Sequence, residues 1–287
     1  MKKDTAGTEE LKTASRCQLS IVHCQLPSLV YDYYRTHARS LPWRETYDPY
    51  AILVSEIMLQ QTQVDRVRDK YVAFLQAFPD FAALGNAALA DVLALWQGLG
   101  YNRRAVALHN CAKAVVQRHG GTLPVSVEEM EALPGIGPYT ARAVAAFAFG
   151  IATPFIETNI RSVYIHHYFQ DRAGVKDSEI MPLVAQTLDA ANPREWYYAL
   201  MDYGAMLKRT HGNPNRKSVH HVRQAPFRGS NRERRSMILK AVLAQPGVSE
   251  AELEELLRGK TERLHENLQA LEQEGFIRRE LGRYFIQ

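Results

Sequence analysis

Cysteine is scarce in this sequence. The three cysteines, Cys17, Cys24 and Cys111, are odd in number and none follows Cys111, so neither a disulfide framework nor a four-cysteine metal site can be assembled. No run of about 18 apolar residues is present, and the opening stretch MKKDTAGTEELKTASRCQ lacks the apolar centre of a signal peptide. We therefore expect a soluble, cytoplasmic protein with no membrane partner.

Acidic residues are nearly absent from one stretch, residues 208–235. It holds nine Lys or Arg residues and a single acid, Glu233, so it carries a formal charge of +8 in a chain whose net charge is +4. A positive segment on a slightly acidic chain predicts a polyanionic partner, although a solvated basic linker would have the same composition. The 46% hydrophobic content of the 287 residues supports one large or two ordinary domains.

Sustained β alternation is absent between residues 26 and 209. Apolar residues recur there at helical spacing between short polar breaks, which predicts an all-α domain over residues 26–209. The expected helices cover residues 27–37, 49–61, 63–77, 88–96, 101–119, 125–132, 138–149, 157–169, 176–190 and 193–208. Residues 1–25 are predicted to be an N-terminal extension and residues 210–229, rich in Gly and Pro, a basic linker.

The pattern changes over residues 230–287. Helices are expected at 231–244, 249–257 and 261–274, and the tail GFIRRELGRYFIQ predicts a two-stranded hairpin around Gly282. Three helices and a hairpin indicate a small winged-helix-like module. Its third helix carries several acids, which makes insertion of that helix into a DNA groove unfavourable.

The stretch LPGIGPYTARAV, residues 133–144, contains a compact turn before a helix. Gly135 and Gly137 permit a tight turn, and Pro138 suits the first helical position because it needs no amide hydrogen. Backbone N–H groups at such a helix N-terminus suit a phosphate oxygen. An ordinary glycine-proline connection between helices is the alternative interpretation.

The stretch VSEIMLQQTQV, residues 54–64, places an acid and three glutamines in an otherwise apolar helix. At a period of 3.6, Glu56, Gln60 and Gln63 lie on one face, while Gln61 falls into the apolar stripe. A solvated face normally carries Lys, Glu and Arg, so a partner other than water is indicated.

These stretches together resemble a known family. LPGIGPYTA resembles the helix-hairpin-helix of the DNA glycosylase superfamily (HhH-GPD) that includes endonuclease III and the MutY-type adenine glycosylases. LPWRETYDPYAILVSEIMLQQTQV, LWQGLGYNRRAVALHNCAKAV, TPFIETNIRSVY and ALMDYGAMLKR resemble the MutY-type branch, in the same order. The resemblance covers residues 27–209 and implies a two-lobed helical fold.

The resemblance also implies a function. It implies a monomeric base-excision-repair enzyme, nucleoid-associated if bacterial, that flips a base out of mismatched or oxidised double-stranded DNA and removes it. Adenine opposite 8-oxoguanine or guanine is the expected substrate. Thymine or uracil opposite guanine is the alternative substrate, and a catalytically inactive DNA-binding protein or regulator is the alternative function.

Cleavage of a base–sugar bond needs a proton donor at the base and a carboxylate near the sugar. Glu56 matches the family's acid, and its apolar neighbours favour the protonated form. Glu157, with Asn159, matches the sugar-facing position, where the family usually has Asp; a misplacement of about 1 Å can cost about a hundredfold in rate. Capping of a helix by Glu157 is the alternative role.

Tyr139 matches the hairpin position at which backbone-cutting relatives carry a lysine that forms a Schiff base. Tyrosine cannot do this, so hydrolysis without strong lyase activity is expected. The resemblance implies that Gln61 fills the space of the flipped base and that Tyr101 intercalates on the opposite strand. The other implied contacts are Gln60, Gly135, Gly137, Thr140, Arg103, Arg104, Arg216 and Lys217 for DNA, and Trp43, Arg44 and Asp202 for the base pocket. Core packing is the alternative for Trp43 and Tyr101.

The sequence departs from the family in two places. Relatives follow GAMLKR with a four-cysteine iron–sulfur loop, whereas THGNPNRKSVHHVRQAPF here has no cysteine, so we expect a protein without this cofactor. The histidines of that stretch lack the cysteine and acidic neighbours of a metal site. The module at residues 230–287 also differs from the pyrophosphatase-like β domain usual in MutY-type enzymes.

Overall fold

The computed structural model describes residues 25–223, 226–257 and 262–287, so the predicted extension over residues 1–25 lies outside the described residues apart from its last position. Most of the described chain is helical. The helices are α1 (residues 25–37), α2 (Pro49–Leu59), α3 (Val64–Ala77), α4 (Phe81–Asn86), α5 (Leu89–Trp96), α6 (Arg103–His119), α7 (Val127–Glu131), α8 (Pro138–Phe149), α9 (Thr158–Tyr168), α10 (Asp177–Thr187), α11 (Pro193–Thr210), α12 (Asn231–Ala244), α13 (Glu250–Leu257) and α14 (Leu264–Gln273), with 3₁₀ turns at Pro42–Arg44 and Pro214–Lys217.

The chain divides into two compact units. The hairpin unit consists of Pro42–Ala141 and Arg223–Gln287, and the Glu157 unit consists, in its described part, of residues 25–41 and Arg142–Val222. The predicted helical architecture is confirmed; the short helix α4 was not predicted. No helix in the described ranges is both long and apolar enough to cross a membrane.

Helix α2 is buried on all sides within the hairpin unit. Asp48 caps it by accepting hydrogen bonds from the backbone N–H groups of Tyr50 and Ala51, and Pro49 occupies its first turn. Every residue from Tyr50 to Met58 is buried, as expected for a helix that is apolar around its circumference. Glu56 is therefore fixed inside the protein rather than on a solvated face.

Helices α4 and α6 pack closely in the same unit. A Cβ atom at Gly85 would lie 3.2 Å from the backbone nitrogen of Lys113, so only glycine permits this approach without a shift of the helices. Helix α6 ends at Gly120, whose φ of 61° places it in the left-handed region that terminates helices.

In the Glu157 unit, helix α11 packs against the first turn of α9. A Cβ atom at Gly204 would lie 2.2 Å from the carbonyl oxygen of Asn159, which is impossible without displacing one helix. Helix α1 is joined to this unit by the Tyr31 hydroxyl, which donates to Asp189 Oδ2 over 2.7 Å. The close contact between α11 and α9 determines the surroundings of Asn159.

The C-terminal module, residues 230–287, contains α12, α13, α14 and a three-stranded antiparallel sheet. Strands β1 (Val248–Ser249), β2 (Ile277–Glu280) and β3 (Arg283–Ile286) have the spatial order β1-β3-β2, with Tyr284 paired to Val248 and Arg279. Leu281 and Gly282 form the hairpin turn with φ angles of 48° and 77°. The predicted winged-helix-like arrangement is confirmed, and β1 is an additional strand that the sequence did not predict.

Candidate active site

The two hairpin-unit residues predicted to define the chemistry touch each other. The Tyr139 hydroxyl donates a hydrogen bond to Glu56 Oε2 over 2.9 Å. Glu56 is only 7% exposed, whereas Tyr139, in the first turn of α8, is half-buried. A hydrogen bond to an ionised group contributes about 1.5–3 kcal/mol, enough to fix the orientation of the carboxyl group.

The hairpin before α8 is built as the glycine pattern predicts. Gly135 has a φ of 75°, and a Cβ atom there would lie 2.5 Å from the Ala107 Cβ, so both conformation and space require glycine. Ile136 is buried and anchors the turn, while Gly135 and Gly137 are exposed. The exposed turn leads into the N-terminus of α8, the geometry that suits an oxygen anion.

Gln60 and Gln61 follow α2 and have different environments. Gln60 Nε2 donates to Thr140 Oγ1 over 3.2 Å, and Thr140 is buried, so these two predicted DNA contacts join the end of α2 to α8. Gln61 is exposed and has a φ of 54°. The interpretation that Gln61 belongs to the apolar stripe is wrong, because α2 ends at Leu59 and the chain turns away.

Tyr101 also has a left-handed backbone, with a φ of 49°, and is half-buried. In the described ranges, the non-glycine residues with positive φ are Gln61, Tyr101, Arg263 and Leu281. The two residues expected to enter the base stack are thus both in a backbone region that side chains disfavour, and such strain is concentrated at functional sites.

Arg104 is half-buried and makes its contacts within the protein. Its guanidinium group donates to backbone carbonyl oxygens at the end of α2 and in the Tyr101 turn: Ile57 at 2.7 Å, Met58 at 2.9 Å and Gly100 at 3.0 Å. Burial lowers the pKa of this guanidinium to about 10. Arg104 therefore holds these two segments together, and a phosphate contact by Arg104 remains a prediction.

Arg103 is exposed but is paired within the protein. Its Nε donates to Glu274 Oε2 and its Nη2 lies near Oε1, both at 2.7 Å. A phosphate contact by Arg103 remains a prediction, and it would compete with Glu274.

Glu157 and Asn159 begin α9 in the other unit. Glu157 is the N-cap residue, and its Oε2 accepts a hydrogen bond from the Asn159 backbone N–H over 2.8 Å. Its other oxygen, Oε1, is buried and has no hydrogen-bond partner in the described part of the chain. The helix-capping role is thus present and leaves one carboxylate oxygen for another interaction; the sugar-facing role remains a prediction.

Lys208 is a member of this group that the sequence did not identify. Its Nζ donates to Asn159 Oδ1 over 2.8 Å, and burial lowers the pKa of the ammonium group, an effect opposed by the charge of Glu157. Lys208 follows Gly204 by four residues on α11 and therefore lies on the same helix face. In the sequence, Gly204 was the one feature that indicated a close approach of this face of α11 to another helix.

The predicted base-pocket residues lie in different units and are half or fully buried. Trp43 is 4% exposed and packs edge-on against Tyr71 at 5.5 Å between ring centroids, as the core-packing alternative requires. Arg44 is half-buried. In the Glu157 unit, Asp202 accepts from the backbone N–H of Arg39 at 2.9 Å and from its Nε at 2.6 Å. The pocket roles of these residues remain predictions.

The basic stretch after α11 is partly folded. Lys217 Nζ donates to the Gln170 carbonyl oxygen at 2.5 Å, while Arg216 is exposed. Asn215 is buried and donates to the Thr158 carbonyl oxygen at 2.8 Å, which attaches this stretch to α9. Among the described residues, no group of three or more His, Cys, Asp or Glu side chains is arranged to hold a metal ion.

Comparison with known proteins relates part of this chain to a family of DNA repair proteins. Residues 54–185 match the model of the HhH-GPD superfamily of base excision DNA repair proteins. This part of the chain is thus similar to that superfamily. The matched range includes Glu56, Tyr139, Glu157 and Asn159.

Related proteins are similar to the HhH-GPD part of this chain. An adenine DNA glycosylase of Mycobacterium tuberculosis is 38% identical over 189 residues, which cover 64% of this chain and 62% of that protein. The human adenine DNA glycosylase is 36% identical over 187 residues, covering 61% of this chain and 34% of that protein. The chain thus spans less than two thirds of the length of these relatives.

The structure is similar to that of a thermostable thymine-DNA glycosylase, with 25% sequence identity and a TM-score of 0.59. The similarity covers 66% of this chain and 88% of that chain. It supports the HhH-GPD fold for the helical region.

Proposed function

We propose that this protein is a DNA glycosylase that hydrolytically removes adenine from a mispair in double-stranded DNA and leaves an abasic site. The observation that carries the proposal is the buried Glu56 hydrogen-bonded to Tyr139 of the hairpin. The similarity to adenine DNA glycosylases at 36–38% identity supports adenine as the base.

Departure of a purine from deoxyribose leaves positive charge on the sugar and negative charge on the base. Protonation of the base by a positioned acid lowers the barrier, and such general acid catalysis contributes about 10²–10⁴-fold. Glu56 is the proposed donor, because its burial disfavours the charged carboxylate and so favours retention of the proton. Tyr139 fixes the direction of its carboxyl group.

The sugar cation needs a negative group close to it, as in glycoside hydrolysis. Glu157 is proposed for this role: one carboxylate oxygen is held by the Asn159 N–H, and the other is buried without a hydrogen bond in the described chain. Asn159, held in turn by Lys208, would orient the attacking water. Glu56 and Glu157 belong to different units.

Tyr139 at the hairpin supports hydrolysis instead of attack on the sugar by an amine. A lysine there would attack the sugar and form a Schiff base, whereas Tyr139 has no amine and its hydroxyl is used to hold Glu56. The proposed reaction therefore ends at the abasic site, without strand cleavage.

Binding to DNA is proposed to combine phosphate contacts with entry into the base stack. The exposed Gly135 and Gly137 precede the N-terminus of α8, which suits a phosphate. Gln61 and Tyr101, both with positive φ, are proposed to occupy the stack when the base is flipped out. Arg216 is an exposed candidate for a further phosphate contact.

The finer specificity is also a proposal. Adenine opposite 8-oxoguanine or guanine is the proposed substrate, and the enzyme is proposed to act as a cytoplasmic monomer without an iron–sulfur cluster. The absence of cysteine after Cys111 supports the last point, and Cys111 itself is buried. The absence of a cluster is tested by iron analysis of the purified protein and by its absorbance at about 400 nm, because a cysteine-bound cluster contains iron and absorbs visible light.

The function is tested with duplexes that carry A opposite 8-oxoguanine, A opposite G, and T or U opposite G. Each is incubated with the enzyme, and half of each sample is treated with alkali, which breaks the strand at an abasic site. We expect alkali-dependent breaks in the adenine duplexes and their loss in Glu56→Gln. Tight binding with no breaks in any duplex would indicate a DNA-binding protein instead of an enzyme. Strong breaks without alkali would contradict the role of Tyr139.

A second candidate substrate is thymine or uracil opposite guanine. The observation that favours it is the structural similarity to a thermostable thymine-DNA glycosylase. Breaks confined to the T or U duplexes would select this alternative.

A further inference from the structure

The turn that carries Tyr101 has an unusual backbone. Gly98, Gly100 and Tyr101 have φ angles of 93°, 73° and 49°. Glycine adopts such angles readily, but an aromatic residue does so only when its surroundings impose them. The conformation of Tyr101 therefore depends on what its side chain contacts.

One set of contacts comes from the helical part of the hairpin unit. Trp96 Nε1 donates to the Gly100 carbonyl oxygen at 3.1 Å, and Arg104 donates to the same oxygen at 3.0 Å. The Arg104 guanidinium carbon also lies 5.5 Å from the centroid of the Tyr101 ring, within the range of a cation–π contact. These contacts hold the backbone of the turn.

The second set comes from the C-terminal module. Arg232, in the first turn of α12, donates from Nη1 to the Tyr101 hydroxyl at 2.7 Å, and its guanidinium carbon lies 5.5 Å from the ring centroid. Tyr101 thus contacts two guanidinium groups, one from each part of the unit. Ser230 caps α12 by accepting from the Glu233 N–H, which fixes the helix turn that presents Arg232.

A second connection lies next to the first. Glu274, at the end of α14, binds Arg103 with both carboxylate oxygens at 2.7 Å and binds Arg235 of α12 at 2.7 and 3.0 Å. Hydrogen bonds from Arg103 lower the pKa of Glu274 to about 2, so it is ionised at neutral pH. The module therefore contacts the Tyr101 turn through a hydroxyl and the start of α6 through an ion pair.

We propose that the C-terminal module holds the Tyr101 turn in its DNA-reading conformation, with Arg232 as the positioning residue, and thereby determines which base is accepted opposite the excised one. The inference rests on the proposed function, because the proposed function assigns Tyr101 to the strand opposite the flipped base. Phosphate and base edges of that strand are chemically suited to the arginines and the tyrosine on this surface.

The test uses the full chain with Arg232→Gln and Arg232→Lys, and with Arg279→Ala as the matched control. Arg279 is an exposed arginine of the same module whose guanidinium lies over Tyr284, so its removal leaves the Tyr101 turn untouched. Single-turnover rates are measured on duplexes with adenine opposite 8-oxoguanine, guanine and cytosine. We expect Arg232→Gln to reduce the preference for 8-oxoguanine over cytosine about tenfold, Arg232→Lys to restore part of it, and the control to change it less than about twofold.

Amide hydrogen exchange of the DNA-free protein provides a readout that does not need activity. We expect exchange of residues 97–103 to be about tenfold faster in Arg232→Gln than in the wild type or in Arg279→Ala. Unchanged exchange and unchanged base preference would overturn the inference. Equal slowing on all three duplexes, shared with the control, would also overturn it, because it would show only general destabilisation. A wild type that excises no adenine would refute the proposed function, while the exchange comparison would still decide whether the module holds the turn.

Discussion

The hydroxyl of Tyr139 and the carboxyl group of Glu56 are joined by a hydrogen bond of 2.9 Å, although 82 residues separate them in the sequence. The contact connects the turn expected to hold DNA with the acid expected to protonate the base. A hydroxyl that donates to a carboxylate favours the ionised form, so Tyr139 works against retention of the proton on Glu56. If Glu56 is the proton donor, as proposed, removal of the Tyr139 hydroxyl should therefore extend its action as an acid to higher pH.

Replacement Tyr139→Phe should move the alkaline limb of the pH–rate profile to higher pH. Loss of a hydrogen bond to a charged group, about 1.5–3 kcal/mol, corresponds to a shift of about one to two pH units. Single-turnover adenine excision between pH 6 and about pH 9 measures the shift. Tyr47→Phe, at an exposed tyrosine of the same unit, is the matched control and should leave the profile unchanged.

Lys208→Met should lower the rate of the chemical step without weakening substrate binding. Asn159 Oδ1 loses the donor that lies 2.8 Å away, and a loss of about 1–1.5 kcal/mol corresponds to about a tenfold lower kcat. Burial of the ammonium group costs stability while its hydrogen bond to Asn159 adds to it, so the free energy of unfolding should stay within about 1 kcal/mol of the wild type. The kinetic constants and urea unfolding measure both effects.

Arg209→Met is the matched control for Lys208→Met, because Arg209 is the exposed neighbour on the same helix. A higher KM with unchanged kcat in Lys208→Met would show that Lys208 contacts DNA instead of positioning Asn159.

The helical pattern was sufficient to predict most of the fold, and the reason is physical. Long helices such as α6 and α11 carry an apolar stripe that must be buried, so their spacing is visible in the sequence. The six-residue helix α4 and the two-residue strand β1 are too short to show a period. Their formation depends on packing against neighbours that are distant in the chain.

The individual site residues were predictable only through the family's motifs, and their contacts were not. Glu56 and Tyr139 were both singled out, but their hydrogen bond depends on tertiary packing of α2 against the start of α8. A phosphate contact by Arg104 was implied only by the resemblance to the family. Its guanidinium donates to carbonyl oxygens of α2 and of the Tyr101 turn, and these contacts depend on tertiary packing that the sequence does not reveal.

Gly135→Ala and Gly137→Ala should separate the folding of the hairpin from its binding of DNA. At Gly135 a Cβ atom would collide with Ala107 at 2.5 Å and the φ is 75°, so we expect a loss of about 1–3 kcal/mol in the free energy of unfolding. At Gly137 no atom lies within 4 Å of the added Cβ, so stability should be retained. Urea unfolding and DNA titration measure the two effects.

DNA affinity should nevertheless fall in Gly137→Ala, because the exposed turn is where a phosphate would approach the backbone. An affinity equal to that of the wild type would place the phosphate elsewhere. Wild-type stability in Gly135→Ala would contradict the packing against Ala107.

His167 should make the protein less stable as the pH falls. Burial lowers the pKa of His167 from 6.5 to about 4, and the ring nitrogen Nε2 lies 3.1 Å from the Tyr203 hydroxyl. The unfolded chain binds a proton near pH 6.5 and the folded chain resists it until about pH 4. The contribution to stability is therefore complete above about pH 6.5 and is lost progressively as the pH falls toward about 4.

Replacement His167→Gln retains an acceptor for Tyr203 and removes the titration. Because the ring is partly exposed, solvent screening reduces the effect. Between pH 7 and pH 4.5 we expect the free energy of unfolding to fall by about 1–2 kcal/mol less in the variant than in the wild type. Urea unfolding at both pH values gives this difference. The matched control is His221→Gln, at an exposed histidine of the same unit. Its free energy of unfolding should fall as much as that of the wild type. Parallel losses in all three proteins would show that the fold does not exclude the proton from His167.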